Sequence, residues 1–303
     1  MRVGPVFIGN FRSGTTLLVN LLGGHPEISA WFETKGLCEL LRWQRVLKTP
    51  ETASREAELS RPAEVVGFGL EAVKERVRRD IIETRARIEG RLASGKGAHE
   101  RYPLGHDRLL YTDQEALEGL EAWSLAVAES PSVEGLAKAN GDLIRRLGAL
   151  QALRERKPLW VNKTPEMTRF GFELEAALGP VRRIVMIRDG REVVRSAARL
   201  QWASAETLAA WWKGMILESR AAGRTDDRHY LEVRYEDLLR EPARTLDRVF
   251  DFLEVERLGE RLIRAYPQSL VLEPLRPDPV DSPVLKVPDG LDREFLRSLG
   301  YSD

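Results

Sequence analysis

Val6-Phe7-Ile8-Gly9-Asn10-Phe11-Arg12-Ser13-Gly14-Thr15-Thr16-Leu17-Leu18 is the stretch from which the rest of the chain is read. Three apolar residues run into a glycine, four residues separate it from a second glycine, and Leu17, Leu18, Leu21 and Leu22 then recur at helical spacing until Gly23-Gly24. This predicts a buried strand, a tight loop and a helix. The spacing is that of a phosphate loop, G-x-x-x-x-G-K-[ST], with Thr15 at the lysine position. Such a loop turns backbone N–H groups and the positive end of a helix toward an anion. Without a lysine for the β- and γ-phosphates, and with the cation moved to Arg12, it suits an oxyanion ligand without a metal better than a magnesium-triphosphate. A glycine loop alone also reads, with less weight, as an empty βα turn. Arg12 and the hydroxyls of Ser13, Thr15 and Thr16 favour anion binding.

Working outward, Leu159-Trp160-Val161, Arg183-Ile184-Val185-Met186-Ile187 and Tyr230-Leu231-Glu232-Val233 are three more strand-sized apolar runs. Each is followed by a turn and a helical pattern, among them Glu192 to Gln201 and the Leu246, Val249, Phe250, Leu253 stripe behind Pro242. This βα alternation predicts an α/β protein, a P-loop-like three-layer α/β/α arrangement around a central parallel sheet. Residues 38–157 interrupt it with charged amphipathic stretches, Glu71 to Leu92 and Val133 to Arg156, around the turn-rich Ala93 to Asp113. The expectation is one domain over residues 1–303 with 38–157 as a long helical insertion or cap, because its ends must return to neighbouring strands. Pro274 to Pro288, with five prolines, reads as an extended arm.

Composition excludes several classes. Lys+Arg 47 against Asp+Glu 47 leaves no global field for a nucleic acid or an anionic membrane. No apolar run is long enough for a membrane span, and residues 1–14 show no secretory-leader pattern. The single cysteine, Cys38, reads as a small buried residue in a reducing compartment, so a cytoplasmic location is expected.

Phe11-Arg12-Ser13-Gly14-Thr15-Thr16-Leu17-Leu18 resembles the 5′-phosphosulfate loop of the sulfotransferases, which use 3′-phosphoadenosine-5′-phosphosulfate (PAPS). Ile184-Val185-Met186-Ile187-Arg188, with Ser196 further on, resembles that family's 3′-phosphate motif. An Arg at a strand's carboxyl end and a Ser on the next helix converge on the crevice where open α/β sheets bind ligands. The likeness is nearest to the branch containing the tyrosylprotein sulfotransferases and bacterial sulfotransferases. Glu33 of Glu33-Thr34-Lys35 stands at that branch's general base, and Lys35 stands where the tyrosylprotein enzymes carry Arg. Asn162-Lys163-Thr164-Pro165 resembles their Asn-Lys-Asp-Pro, Arg234-Tyr235-Glu236-Asp237-Leu238 their late strand-end motif, and Lys286 their cofactor-closing lysine. The family's second arginine on the 3′-phosphate helix has no match in register, since Leu200 falls there. The insertion lies outside the resemblance.

The resemblance implies an in-line transfer of a sulfuryl group from PAPS to a hydroxyl or phenol, leaving adenosine 3′,5′-bisphosphate (PAP), with no metal required. It assigns Glu33 as base, Lys163 and Arg12 to charge stabilisation, and Arg12, Ser13, Gly14, Thr15, Thr16, Arg188, Ser196, Tyr235 and Lys286 to the cofactor. The acceptor, a small molecule, glycan, lipid or peptide, stays open, as does the oligomeric state. His99 and His106 are rival bases, whereas His25 reads as a packing or capping residue. Trp211-Trp212 is expected to pack the insertion on the sheet. The alternatives are a P-loop small-molecule kinase using Mg-ATP and a nucleotide-binding module without chemistry.

Overall fold

Strand β1 (Val6–Gly9) has every residue buried, and its apolar side chains alternate between two packed layers. In this computed structural model, which describes residues 5–31, 33–49, 51, 69–93, 109–223, 228–265 and 291–302, β1 lies at the centre of a parallel sheet. Its companions are β2 (Ile28–Trp31), β3 (Leu159–Lys163), β4 (Arg182–Ile187) and β5 (Tyr230–Arg234), in the order β2-β3-β1-β4-β5. Ile8 lies opposite Lys163 on one side and Ile184 on the other, so the carboxyl ends of β3 and β4 flank the glycine loop.

Four of the five strands match the sequence reading, and β2 is an addition. Ile28-Ser29-Ala30-Trp31 has no run of large apolar residues, and its strand character comes from pairing with β3, Ser29 opposite Trp160. Burial of all four residues is a tertiary effect.

The period-two alternation sorts the helices. Val6, Ile8, Val161, Ile184 and Met186 face one layer, formed by α1 (Thr15–Gly23), α10 (Pro242–Leu253) and α11 (Gly259–Ala265), with α9 (Tyr235–Arg240) at its edge. Phe7, Trp31 and Trp160 face the opposite layer. There they meet α2 (Lys35–Lys48), α3 (Leu70–Ala93), α4 (Asp113–Glu129), α5 (Val133–Glu155) and α6 (Gly171–Leu178) in one apolar cluster. Helix α4 was not singled out by periodicity. Its local signal is a capping box, in which the Thr112 side chain accepts from the Glu115 N–H and Glu115 accepts from the Thr112 N–H.

The remaining face of β4, Val185 and Ile187, is covered by α7 (Gly190–Ala198), α8 (Ala205–Gly223) and α12 (Arg293–Ser298). Trp211 and Trp212 belong to this cluster, in which none of the described residues of 38–157 takes part, so they fill the layer over β4 where the sequence predicted packing of the insertion on the sheet. Trp212 instead meets Phe295 edge-on at 5.4 Å, because α8 enters from the β4 side of the sheet. Cys38 is buried, and burial pushes its thiol well above the ordinary range. No helix among the described residues is long and apolar enough to cross a membrane.

Trp160 meets Phe7 of β1 edge-on at 5.8 Å and Trp31 of β2 at 5.5 Å, and joins them to α5, where a Cβ on Gly148 would lie 2.3 Å from its ring. Trp160→Ala should cost about 3–5 kcal/mol of stability, read from the urea midpoint. A loss under about 1 kcal/mol would mean that the layer does not depend on this junction.

Candidate active site

The segment after β3 crosses the end of β1 so closely that position 9 has no room for a side chain. A Cβ on Gly9 would lie 2.1 Å from Thr168 Oγ1 and 2.9 Å from the Pro165 carbonyl oxygen. The Asn10 N–H donates to that carbonyl at 2.8 Å, and Asn10 Nδ2 donates to the Met186 carbonyl at 2.9 Å. One residue thus ties the loop to both flanking strands. Helix α1 leaves toward one face while the segments after β3 and β4 leave toward the other, so crevices open on both sides of β1.

The loop is built tightly around its second glycine. Gly14 has φ +88°, a left-handed conformation that a side chain would strain, and a Cβ there would lie 2.3 Å from the Tyr235 ring. Helix α1 has no side-chain cap and no acidic residue in its first turn, which leaves its N–H groups facing the crevice. Ser13 and Thr15 are buried, and Thr16 is half-buried. Tyr235 lies between Gly14 and Arg188, whose guanidinium stacks on the ring at 4.5 Å. Arg188 Nη1 donates to the Arg12 carbonyl at 3.1 Å, and Arg12 Nε donates to Ser196 Oγ at 3.0 Å. Arg12, Arg188, Ser196 and Tyr235, read from three separate motifs, therefore form one group. Trp202 joins it, with Arg12 over its ring at 5.9 Å.

Arg12 is thereby on the Ser196 side. The position nearest the loop's threonines is taken by Lys163, 1% exposed, which extends from the end of β3 toward α1. Its Nζ donates to Thr16 Oγ1 at 3.3 Å and to Glu33 Oε1 at 2.6 Å. The cation absent from position 15 thus arrives from a different strand. Burial pushes the Glu33 carboxyl up, but the charge and hydrogen bond of Lys163, with Lys35 and Arg87, outweigh it and hold the group below its ordinary value of 4.5. Glu33 is a carboxylate at neutral pH.

Of the other candidates, Lys286, His99 and His106 lie outside the described residues, as does the proline-rich arm. His25 is fully buried, with Nε2 3.0 Å from the Glu256 carbonyl and its ring against Phe250, a packing residue. Sequence reasoning missed two residues that shape the Arg188 turn. Glu236 accepts from the Asp189 N–H at 3.1 Å and from the Tyr301 hydroxyl at 3.0 Å. Glu236 lies next to Tyr235 within the Arg234–Leu238 motif, whereas nothing local marks Tyr301.

Because the folded pKa of Glu33 is depressed, its ionisation contributes stability above the unfolded value and loses it as pH falls through the folded value. The stability deficit of Glu33→Gln should therefore be largest at neutral pH and shrink by about pH 3, measured by urea unfolding. A deficit independent of pH would contradict the Lys163 pairing.

Likeness to known proteins is found in family and in fold. A family model described as the sulfotransferase family matches residues 5–259. No curated protein matches in sequence. Among solved structures, the sulfotransferase domain from the Synechococcus PCC 7002 olefin synthase aligns over 100% of this chain and 96% of its own, at 19% identity and TM-score 0.56, a likeness of fold. Sulfotransferase STF9 from Mycobacterium avium aligns over 98% of this chain and 75% of its own, at 15% identity and TM-score 0.48. The family match takes in all five strands, the glycine loop and each strand end that contributes to the crevice, and the chain belongs to the sulfotransferase family.

Proposed function

We propose that the protein transfers a sulfuryl group from PAPS to a hydroxyl or phenol, with Glu33 as the general base. The observation that carries this reading is the Glu33–Lys163 pair at 2.6 Å, held beside Thr16 of an anion-binding loop. PAPS would supply the sulfuryl group, which passes from the bridging oxygen of the phosphosulfate to the acceptor oxygen and leaves PAP. The uncapped N–H groups of α1, with Ser13, Gly14, Thr15 and Thr16, suit the 5′-phosphate end. Arg12, Arg188 and Ser196, already in mutual contact, suit the 3′-phosphate, and Tyr235 walls the space between the two ends.

The chain's own groups then divide the work. Glu33 takes the acceptor's proton, and Lys163 neutralises negative charge developing on the transferred group and the oxygen it leaves. In the resting pair each group silences the other. Donor charge facing Lys163 would offset its pull on Glu33 and raise the carboxylate's basicity in place, so that the base would become competent when the donor is bound. In this reading α3, within the insertion at residues 38–157, stands on the acceptor side, since the charge of its Arg87 bears on Glu33. The acceptor is a hydroxyl of a small molecule, glycan, lipid or peptide. A lone, buried Cys38 fits a reducing, cytoplasmic setting.

Thermal stabilisation separates this reading from a Mg-ATP kinase. PAP without magnesium should stabilise the protein by about 2.7 kcal/mol at a hundredfold excess over its dissociation constant. Arg188→Ala should abolish that shift. Glu33→Gln should keep it while lowering sulfuryl transfer from PAPS to a panel of phenols by about 10²–10⁴-fold. Stabilisation by Mg·ATP and not by PAP would sink the proposal.

A further inference from the structure

Three buried polar residues beside the Glu33–Lys163 pair have no role in the chemistry above. Asn162 precedes Lys163, Thr164 follows it, and Thr34 follows Glu33. They form a closed ring. Asn162 Nδ2 donates to Thr34 Oγ1 at 3.1 Å, the Thr164 hydroxyl donates to Asn162 Oδ1 at 2.9 Å, and the Thr34 N–H donates to Thr164 Oγ1 at 3.1 Å. Asn162, Thr164 and Thr34 are 0%, 1% and 6% exposed.

Two features distinguish this ring from ordinary satisfaction of buried polar groups. Its bonds join the two segments that carry the charge pair, the end of β3 with Lys163 and the short link between β2 and α2 with Glu33. Thr34 also forgoes a local role to make it. Thr34 is the N-cap residue of α2, where a threonine hydroxyl ordinarily accepts from the helix's first turn, yet its side chain makes no cap bond. That duty passes to Asp80 of α3, whose Oδ2 accepts from the Gly36 N–H at 2.7 Å. The hydroxyl of Thr34 is thus committed to β3, and the helix end is served from elsewhere. Thr164 suits the ring because a hydroxyl donates and accepts at once, whereas the aspartate of the similar Asn-Lys-Asp-Pro motif, when ionised, only accepts.

We infer that Thr34, Asn162 and Thr164 are positioning residues that hold the Glu33 carboxylate within hydrogen-bond reach of Lys163. Their catalytic meaning rests on the sulfotransfer reading of that pair. Strand alternation turns Asn162 away from Lys163, so the ring acts from behind the pair and leaves the acceptor side open. A base and a cation placed by a shared, rigid support need no reorganisation as the proton moves.

The test uses the full chain without ligand and reads the Glu33 carboxyl by ¹³C NMR titration, the signal assigned by its loss in Glu33→Gln. Thr164→Val, which keeps shape and removes the hydroxyl, should move the Glu33 titration upward by about one pH unit as the carboxylate loses its fixed partner. Thr164→Ser should restore it. Thr34→Val, which removes only the Asn162 bond and keeps the backbone one, should move it in the same direction and carries the test if Thr164→Val does not fold. Folded Thr164→Val or Thr34→Val protein that titrates like wild type overturns the positioning role. A PAP thermal shift, run in parallel, should persist in both variants. Its absence in the wild type overturns the sulfotransfer reading and the ring's catalytic meaning with it, a result distinct from an unmoved carboxyl.

Discussion

The site depends on how closely two chain segments cross above the central strand. With no side chain at Gly9, the turn after β3 lies against the end of β1, and the Pro165 carbonyl accepts the Asn10 N–H at 2.8 Å. This contact fixes the height of the 162–165 segment relative to the glycine loop. Lys163 can then reach Thr16, and Thr164 can reach Thr34. A larger residue at position 9 would lift the segment and separate Lys163 from the glycine loop. The loop, the lysine and the glutamate come from three parts of the chain, and this one approach brings them into a single crevice.

Charge elsewhere follows a different logic. The layer over Phe7 and Trp160 is tied to the core by buried ion pairs. Arg45 contacts Glu173 at 2.8 Å and Glu218 at 2.9 Å, Arg169 contacts Glu218 at 2.8 Å, and the guanidiniums of both arginines lie over the Phe170 ring. Such pairs contribute little net stability over apolar packing, but they admit few alternative arrangements. Helices α2, α6 and α8 are held by them in one register. The balanced composition thus conceals local differences: Arg12, Lys163 and Arg188 gather at the ends of the central strands, while Arg45 and Arg169 are neutralised inside the fold.

Legibility varied with the range of the interactions. The strand–loop–helix at Val6 to Leu22 and the strands ending at Lys163, Ile187 and Arg234 follow from local pattern, because burial on both faces requires continuous apolar runs. Strand β2 did not, since Ser29 and Ala30 are strand residues only by pairing with β3. Trp211 and Trp212 read as helical core residues, but which layer they fill depends on the approach of α8. Arg12, Arg188, Ser196 and Tyr235 were each legible as motif members, while their contacts with one another were not. The ring of Thr34, Asn162 and Thr164 was hidden because each residue also has an ordinary local reading, as a helix cap, a strand residue or a turn residue.

By itself the sequence determined the parallel α/β architecture, the glycine loop without the usual lysine of its pattern, and the residue types carried at the strand ends. These are matters of spacing and side-chain chemistry, which neighbouring residues settle locally. Only the tertiary structure decided which cation lies against the loop, which carboxylate it pairs with, and which residues join the segments that carry the two. Those outcomes depend on the distance between strand ends far apart in the chain. That distance is set by sheet order and by the close approach at Gly9, neither of which any local pattern encodes.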